Sequence, residues 1–100
     1  MHFEWDENKN RINRAKHGID FGFASLAFAD PMALTIQDRD VDGEQRYQLI
    51  GSVSARVLLV AHAIGVTSQQ GLFDEESDIR IISARKATRS ERKLYERNAN

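Results

Sequence analysis

Apolar side chains recur along this chain with two different periods, and the switch between them lays out the elements. Over Met32 to Gln37, Gln45 to Gly51, Arg56 to Ala63 and Asp78 to Ala84 the runs are short and suit a pleated, half-buried surface, which predicts four strands. Turn residues such as Asp42-Gly43 and Gly51-Ser52 bound them, so strands that follow one another should pair as antiparallel hairpins. Phe21, Ala24 and Phe28 recur instead at helical spacing. Asp20 can cap that helix, and Asp30-Pro31 ends it, because the residue before a proline disfavours the α region.

At the N-terminus a short strand over His2 to Trp5 leads into Asp6, whose carboxylate can accept a bond from an unpaired N–H in the first turn of a helix. That helix is expected to run to Lys16 or His17. Gly18 then stands where helices commonly end in the left-handed conformation, Ile19 is placed for the accompanying apolar contact, and Lys16 and His17 lie at the negative end of the dipole. Thr88-Arg89-Ser90-Glu91 is a capping box, which starts a last helix. Gly65 to Ser77 is a long polar connection of the kind that is often functional or mobile. The expected class is α+β: a compact antiparallel sheet, built from a four-strand meander and a short N-terminal strand, with two N-terminal helices and one C-terminal helix.

One hundred residues suit one small domain, and 41% hydrophobic with 29% charged residues describes a folded, soluble chain. The absence of cysteine excludes disulfides and thiolate metal sites. The longest apolar run, Val57 to Ala61, is too short to span a bilayer and the N-terminus has no signal-like pattern, so a cytosolic protein without a membrane partner is expected. A net charge of −1 conceals segregation. Asp38, Asp40, Asp42 and Glu44 read as one acidic loop, and Asp74, Glu75, Glu76 and Asp78 as a second. Arg80, Arg85, Lys86, Arg89, Arg92, Lys93 and Arg97 crowd the C-terminal fifth, which suggests an anionic partner.

FEWDENKNRINRAKHGIDF at the start, FADP in the middle and RIISARKATRSERKLYE at the end together resemble the BrnT toxins of bacterial type II toxin–antitoxin systems. The resemblance covers most of the chain. It implies a small ribonuclease with a RelE-like fold and an antitoxin that silences it. The antitoxin would be of the BrnA type, ribbon-helix-helix-like, and operator DNA would be bound only by the toxin–antitoxin complex. The chain departs from the family pattern at HAIGVTSQQGLFDEESD, where a short hairpin with a basic or polar residue would be expected.

A metal-independent ribonuclease of this kind uses the 2′-OH of its RNA as nucleophile, so the protein must move protons and stabilise charge on the phosphate. Arg80, alternating with Ile79 and Ile81, should project from the sheet face opposite to theirs and is the leading candidate for the phosphate. Arg85 and Lys86 follow it at the strand end, where they suit either the same cleft or pairs with nearby acids. His62, on one strand face with Arg56, Leu58 and Val60, is a candidate acid or base, although a packing role is the commoner fate of such a histidine. His17 suits proton transfer or capping equally well. Arg46, Lys86, Lys16 and Arg89 are candidates for holding the RNA backbone, and Arg46 could equally pair with Asp38, Asp40 or Glu44. Trp5 and Phe3 are expected in the core.

No cluster at metal-ligand spacing, phosphate-binding glycine loop or nucleophile motif occurs, so no metal or organic cofactor is expected. Two further classes stand beside the enzyme. One is a catalytically degenerate toxin that only binds its antitoxin and co-regulates its promoter. The other is an independent DNA-binding module, disfavoured by the slightly negative charge and the lack of a helix-turn-helix pattern.

Overall fold

The computed structural model describes residues 1–65 and 78–99, so nearly all of the long connection read from Gly65 to Ser77 lies outside the described residues. Among the described residues five strands form one sheet: β1 (His2–Glu4), β2 (Leu34–Val41), β3 (Glu44–Val53), β4 (Arg56–Ile64) and β5 (Asp78–Lys86). Their order across the sheet is β1-β5-β4-β3-β2. The meander from β2 to β5 is antiparallel, with two-residue turns joining β2 to β3 and β3 to β4. β1 is different. It joins the free side of β5 in parallel, with Phe3 opposite Ile79 and Glu4 opposite Arg80, so the sheet is mixed rather than wholly antiparallel.

Helices α1 (Glu7–His17) and α2 (Phe21–Ser25), followed by a 3-10 turn (Leu26–Ala29), cover one face of the sheet. Asp6 caps α1 as expected, accepting bonds from the Asn8 and Lys9 N–H groups at 2.8 and 3.3 Å, and Gly18 ends it at φ 72°. The helix expected to run from Asp20 to Asp30 is shorter than its apolar spacing suggests. Ser25 Oγ donates to the Gly22 carbonyl at 2.7 Å, and the chain tightens there into the 3-10 turn that sets Ala27 and Phe28 on the sheet.

Phe21, Ala24, Ala27, Phe28, Leu49, Val53, Leu58, Val60, Ile79, Ile81 and Ala84 form the core between this layer and the sheet, with Phe3 and Trp5 packed against it. Gly51 lies within β3 and does not mark its end. A Cβ there would stand 2.8 Å from the Ala27 carbonyl oxygen, so the helical layer approaches the sheet closely at this point. The turn that follows is Ser54-Ala55, both at positive φ, between paired Val53 and Arg56. The turn before β3 is likewise only two residues, Asp42 and Gly43, both at positive φ. This tight hairpin corrects the expected acidic loop: Asp38 and Asp40 belong to β2, and Glu44 opens β3.

Two buried asparagines of α1, to which the sequence pattern assigned no role, tie the helical layer together. Asn10 accepts from the Phe21 N–H at 2.9 Å and donates to Asp20 at 3.1 Å. Asn13 faces the edge of β5 beyond the end of β1, donating to the Ala84 carbonyl at 2.9 Å and accepting from the Ala84 N–H at 3.1 Å. A side-chain amide thus takes the place of a neighbouring strand.

Helix α3 (Arg89–Ala99) lies on the opposite face of the sheet. The capping box forms, with Glu91 N–H to Thr88 Oγ1 at 3.2 Å and Thr88 N–H to Glu91 Oε1 at 2.8 Å. Tyr95 donates to Asp30 Oδ2 at 2.6 Å, and that oxygen also accepts from the Ser52 N–H at 2.8 Å. Ile50 and Leu59 are buried on this face. Among the described residues no helix is long and apolar enough to cross a membrane.

Candidate functional site

Strand register decides which polar side chains meet on the sheet face away from α1 and α2. Arg46 on β3 is opposite Ala63 on β4, and Ala63 is opposite Arg80 on β5. Residues paired in this way share a face, so the two arginines flank one small side chain. The alternation that buries Ile79 and Ile81 in the core sends Arg80 outward, as the sequence pattern predicts. The next row on the same face is Gln48, Ala61 and Ser83, all partly exposed, and the row beyond is Ile50, Leu59 and Arg85. α3 stands over that last row, and no other described element covers the arginine row.

One carboxylate binds both arginines. Glu44, two residues before Arg46 and therefore on the same face, accepts from Arg46 Nε at 3.1 Å and from Arg80 Nη2 through the same oxygen, Oε1. The Arg80 bond, foremost, holds the Glu44 carboxyl below its usual range against the opposing effect of burial. Their side chains remain partly open, at 23% exposure for Arg46, 43% for Arg80 and 37% for Glu44, so solvent and a ligand can reach the group. Glu4, Glu44, Ala63, Gly65, Asp78 and Arg80 line a shallow depression here. The sequence placed Glu44 in a loop and offered it with Asp38 and Asp40 as a partner of Arg46; the pair forms with Glu44, and what the sequence did not show is that Arg80 shares the same oxygen.

The other candidates are dispersed. Arg85 lies four β4 positions from Arg80, roughly 13 Å along the sheet. Its guanidinium is clamped by Glu91, Nη1 to Oε1 at 2.8 Å and Nη2 to Oε2 at 3.0 Å, which holds the Glu91 carboxyl low and the Arg85 guanidinium high. Lys86 is on the opposite face to Arg85, beside Arg56 and Arg92 at the end of the sheet. Arg89 is exposed in the first turn of α3. Lys16 and His17 line a separate groove between α1 and the Ile82-Ser83 segment of β5.

His62 is not at this surface. It is fully buried on the helical side of the sheet, edge-on to Phe28 at 4.9 Å and stacked on Tyr47 at 6.0 Å, with Nδ1 donating to the Val60 carbonyl at 3.0 Å. Burial holds its pKa down to about 4, although the Val60 bond acts in the other direction. An acid or base must reach the reacting atoms, so the structure replaces the proton-transfer expectation for His62 with the packing role. The same alternation that faces Leu58 and Val60 inward carries His62 with them.

Among the described residues no group of three or more histidine or carboxylate side chains is arranged to hold a metal ion. Chemically, the arginine row can grip an oxyanion from two sides, through guanidinium N–H groups that Glu44 does not occupy. No curated protein matches the sequence. Residues 5–91 match the family model of BrnT, the ribonuclease toxin of type II toxin–antitoxin systems, and the chain belongs to that family.

Proposed function

We propose that this toxin cleaves RNA without a metal ion, by attack of a 2′-OH on the adjacent phosphate, with Arg46 and Arg80 stabilising the charge that develops there. The observation that carries this reading is the register Arg46-Ala63-Arg80, which sets two guanidinium groups around a side chain too small to fill the space between them. Arginine pairs with phosphate oxygens through a planar fork of donors and keeps its charge at any working pH. Lys86, Arg89, Lys16 and His17 serve the flanking backbone, where positive charge increases affinity without reading sequence. Arg85 acts indirectly, by holding α3 at the border of the site.

The cognate antitoxin is of the BrnA type, ribbon-helix-helix-like, and silences the toxin by covering the arginine row and the basic face of α3. Operator DNA is bound by that complex and not by the toxin alone. The test is cleavage of a defined RNA by antitoxin-free protein in EDTA, comparing wild type with Arg80→Ala after both are shown to be folded. Cleavage by wild type and its loss in the variant are the expected results. Folded wild type that leaves RNA intact, with ribosomes also supplied, would reassign the chain to antitoxin binding and promoter control.

A further inference from the structure

Glu44 is the counter-ion shared by both arginines of the row. Both arginines bond its Oε1, whereas Oε2 takes no hydrogen bond from the described residues. Each guanidinium commits one nitrogen to this oxygen, Nε of Arg46 and Nη2 of Arg80, and retains other N–H donors. A phosphate gripped by those donors would lie beside the carboxylate without displacing it. A carboxylate fixed at one oxygen, ionised at neutral pH and adjacent to a bound phosphate is placed to accept a proton; its lowered pKa makes it a weak base, so its contribution comes from position and from the neighbouring guanidinium groups.

We infer that Glu44 is the catalytic base of this site and removes the proton from the attacking 2′-OH through Oε2. The inference rests on the ribonuclease reading above. As O2′ bonds to phosphorus, its proton passes to Oε2. The P–O5′ bond breaks, O5′ takes a proton from water, and the products are a 2′,3′-cyclic phosphate and a 5′-hydroxyl. Glu44 then returns its proton to solvent, so the step needs only water as co-reactant. The Arg46 and Arg80 bonds fix the carboxylate during transfer, and the same guanidinium groups neutralise the phosphorane-like charge.

The charged groups facing Glu44 come from four strands. Arg46 is on β3, Arg80 and Asp78 are on β5, Glu4 is on β1, and Asp38 on β2 reaches the next row through a 3.1 Å bond from Gln48. β4 contributes Ala63 and Ile64, which do not titrate. Deprotonated Glu44 is the active form, so cleavage is expected to fall on the acid side as Glu44 gains a proton, below the usual carboxylate range.

The test compares wild type, Glu44→Gln and Glu44→Asp in single-turnover cleavage of a short oligoribonucleotide across acidic and neutral pH. Binding of the same sequence carrying 2′-O-methyl groups, which cannot react, is measured alongside. Glu44→Gln is expected to lose about 10²- to 10⁴-fold in rate, to bind the unreactive RNA at least as well as wild type, and to lose the acid limb. Glu44→Asp keeps a carboxylate one methylene further back, and should retain the limb with partial rate. Circular dichroism at the assay temperature establishes folding, and the rate and acid limb of Glu44→Asp decide between the outcomes if Glu44→Gln does not fold. An active Glu44→Gln, or a loss accounted for by weaker binding, overturns the inference and leaves the ribonuclease reading standing. An inert wild type overturns both.

Discussion

Arg46 and Arg80 reach the same carboxylate oxygen from two strands that do not touch, because β4 lies between them and presents only Ala63. On the proposed mechanism they would act on one phosphate as a unit. Arg46→Ala and Arg80→Ala are each expected to reduce cleavage by about 10²- to 10³-fold, the usual cost of removing one donor from a developing oxyanion. The double variant should lose less than the product of the single losses, since either removal alone leaves the phosphate poorly held. Single-turnover rates for the three variants check this. Strictly multiplicative losses would mean that the arginines contact different phosphates.

Arg85 should behave differently from Arg80 despite the similar sequence context. Its guanidinium is used by Glu91, and that pair with the Tyr95–Asp30 bond fastens α3 to the sheet. Arg85→Ala is expected to lower thermal stability by about 1 kcal/mol, after discounting for the partial exposure of both partners, while leaving cleavage by the folded fraction within a small factor of wild type. Melting curves and rates measured well below the transition separate the two effects. A large rate loss at unchanged stability would place Arg85 on the RNA.

Burial of His62 gives the fold a pH dependence with a definite sign. The folded-state pKa of about 4 lies below the unfolded value of 6.5, so between these limits the unfolded chain takes up a proton that the folded chain refuses. The contribution is complete above pH 6.5 and is lost as pH falls toward 4, by roughly 3 kcal/mol in all. Asp20, Asp30, Glu44 and Glu91, whose pKa values are lowered, add stability that is present above the ordinary carboxylate range and is lost further into acid. Urea denaturation between pH 7 and 4.5 should show the first slope in wild type and not in His62→Leu. The same slope in both would assign it elsewhere.

These relationships differ in how far the sequence announces them. Asp6, Gly18 and the Thr88–Glu91 box act through neighbours within one turn of chain, so their caps could be read from residue type and spacing alone. The outward face of Arg80 followed from period-two alternation. The same alternation set His62 with Leu58 and Val60, but it does not say which face a helical layer will cover, and that layer turned a candidate acid or base into a core residue. The meeting of Arg46 with Arg80 depends on register across three strands. The parallel placement of β1 depends on where the chain returns after two helices, and no local pattern records either.

Asn13 is the clearest case of a residue whose weight depends on distant pairing. Its Nδ2 donates to the Ile19 and Ala84 carbonyls, both at 2.9 Å, and its Oδ1 accepts from the Ala84 N–H at 3.1 Å, all in a buried setting. β1 pairs with β5 only as far as Arg80, so among the described residues no strand stands ready to take over these groups. Asn13→Asp keeps the shape but cannot donate while ionised, leaving two buried carbonyls without this partner at about 1–3 kcal/mol each. For a domain stabilised by only about 5–15 kcal/mol the substitution should shift the denaturation midpoint sharply. Hydrogen exchange localises the cause: the Ala84 amide, which donates to the Asn13 side chain, should lose protection in Asn13→Ala well before the amides paired between β3 and β4. Equal loss along the whole sheet would mean that the edge opens only with global unfolding.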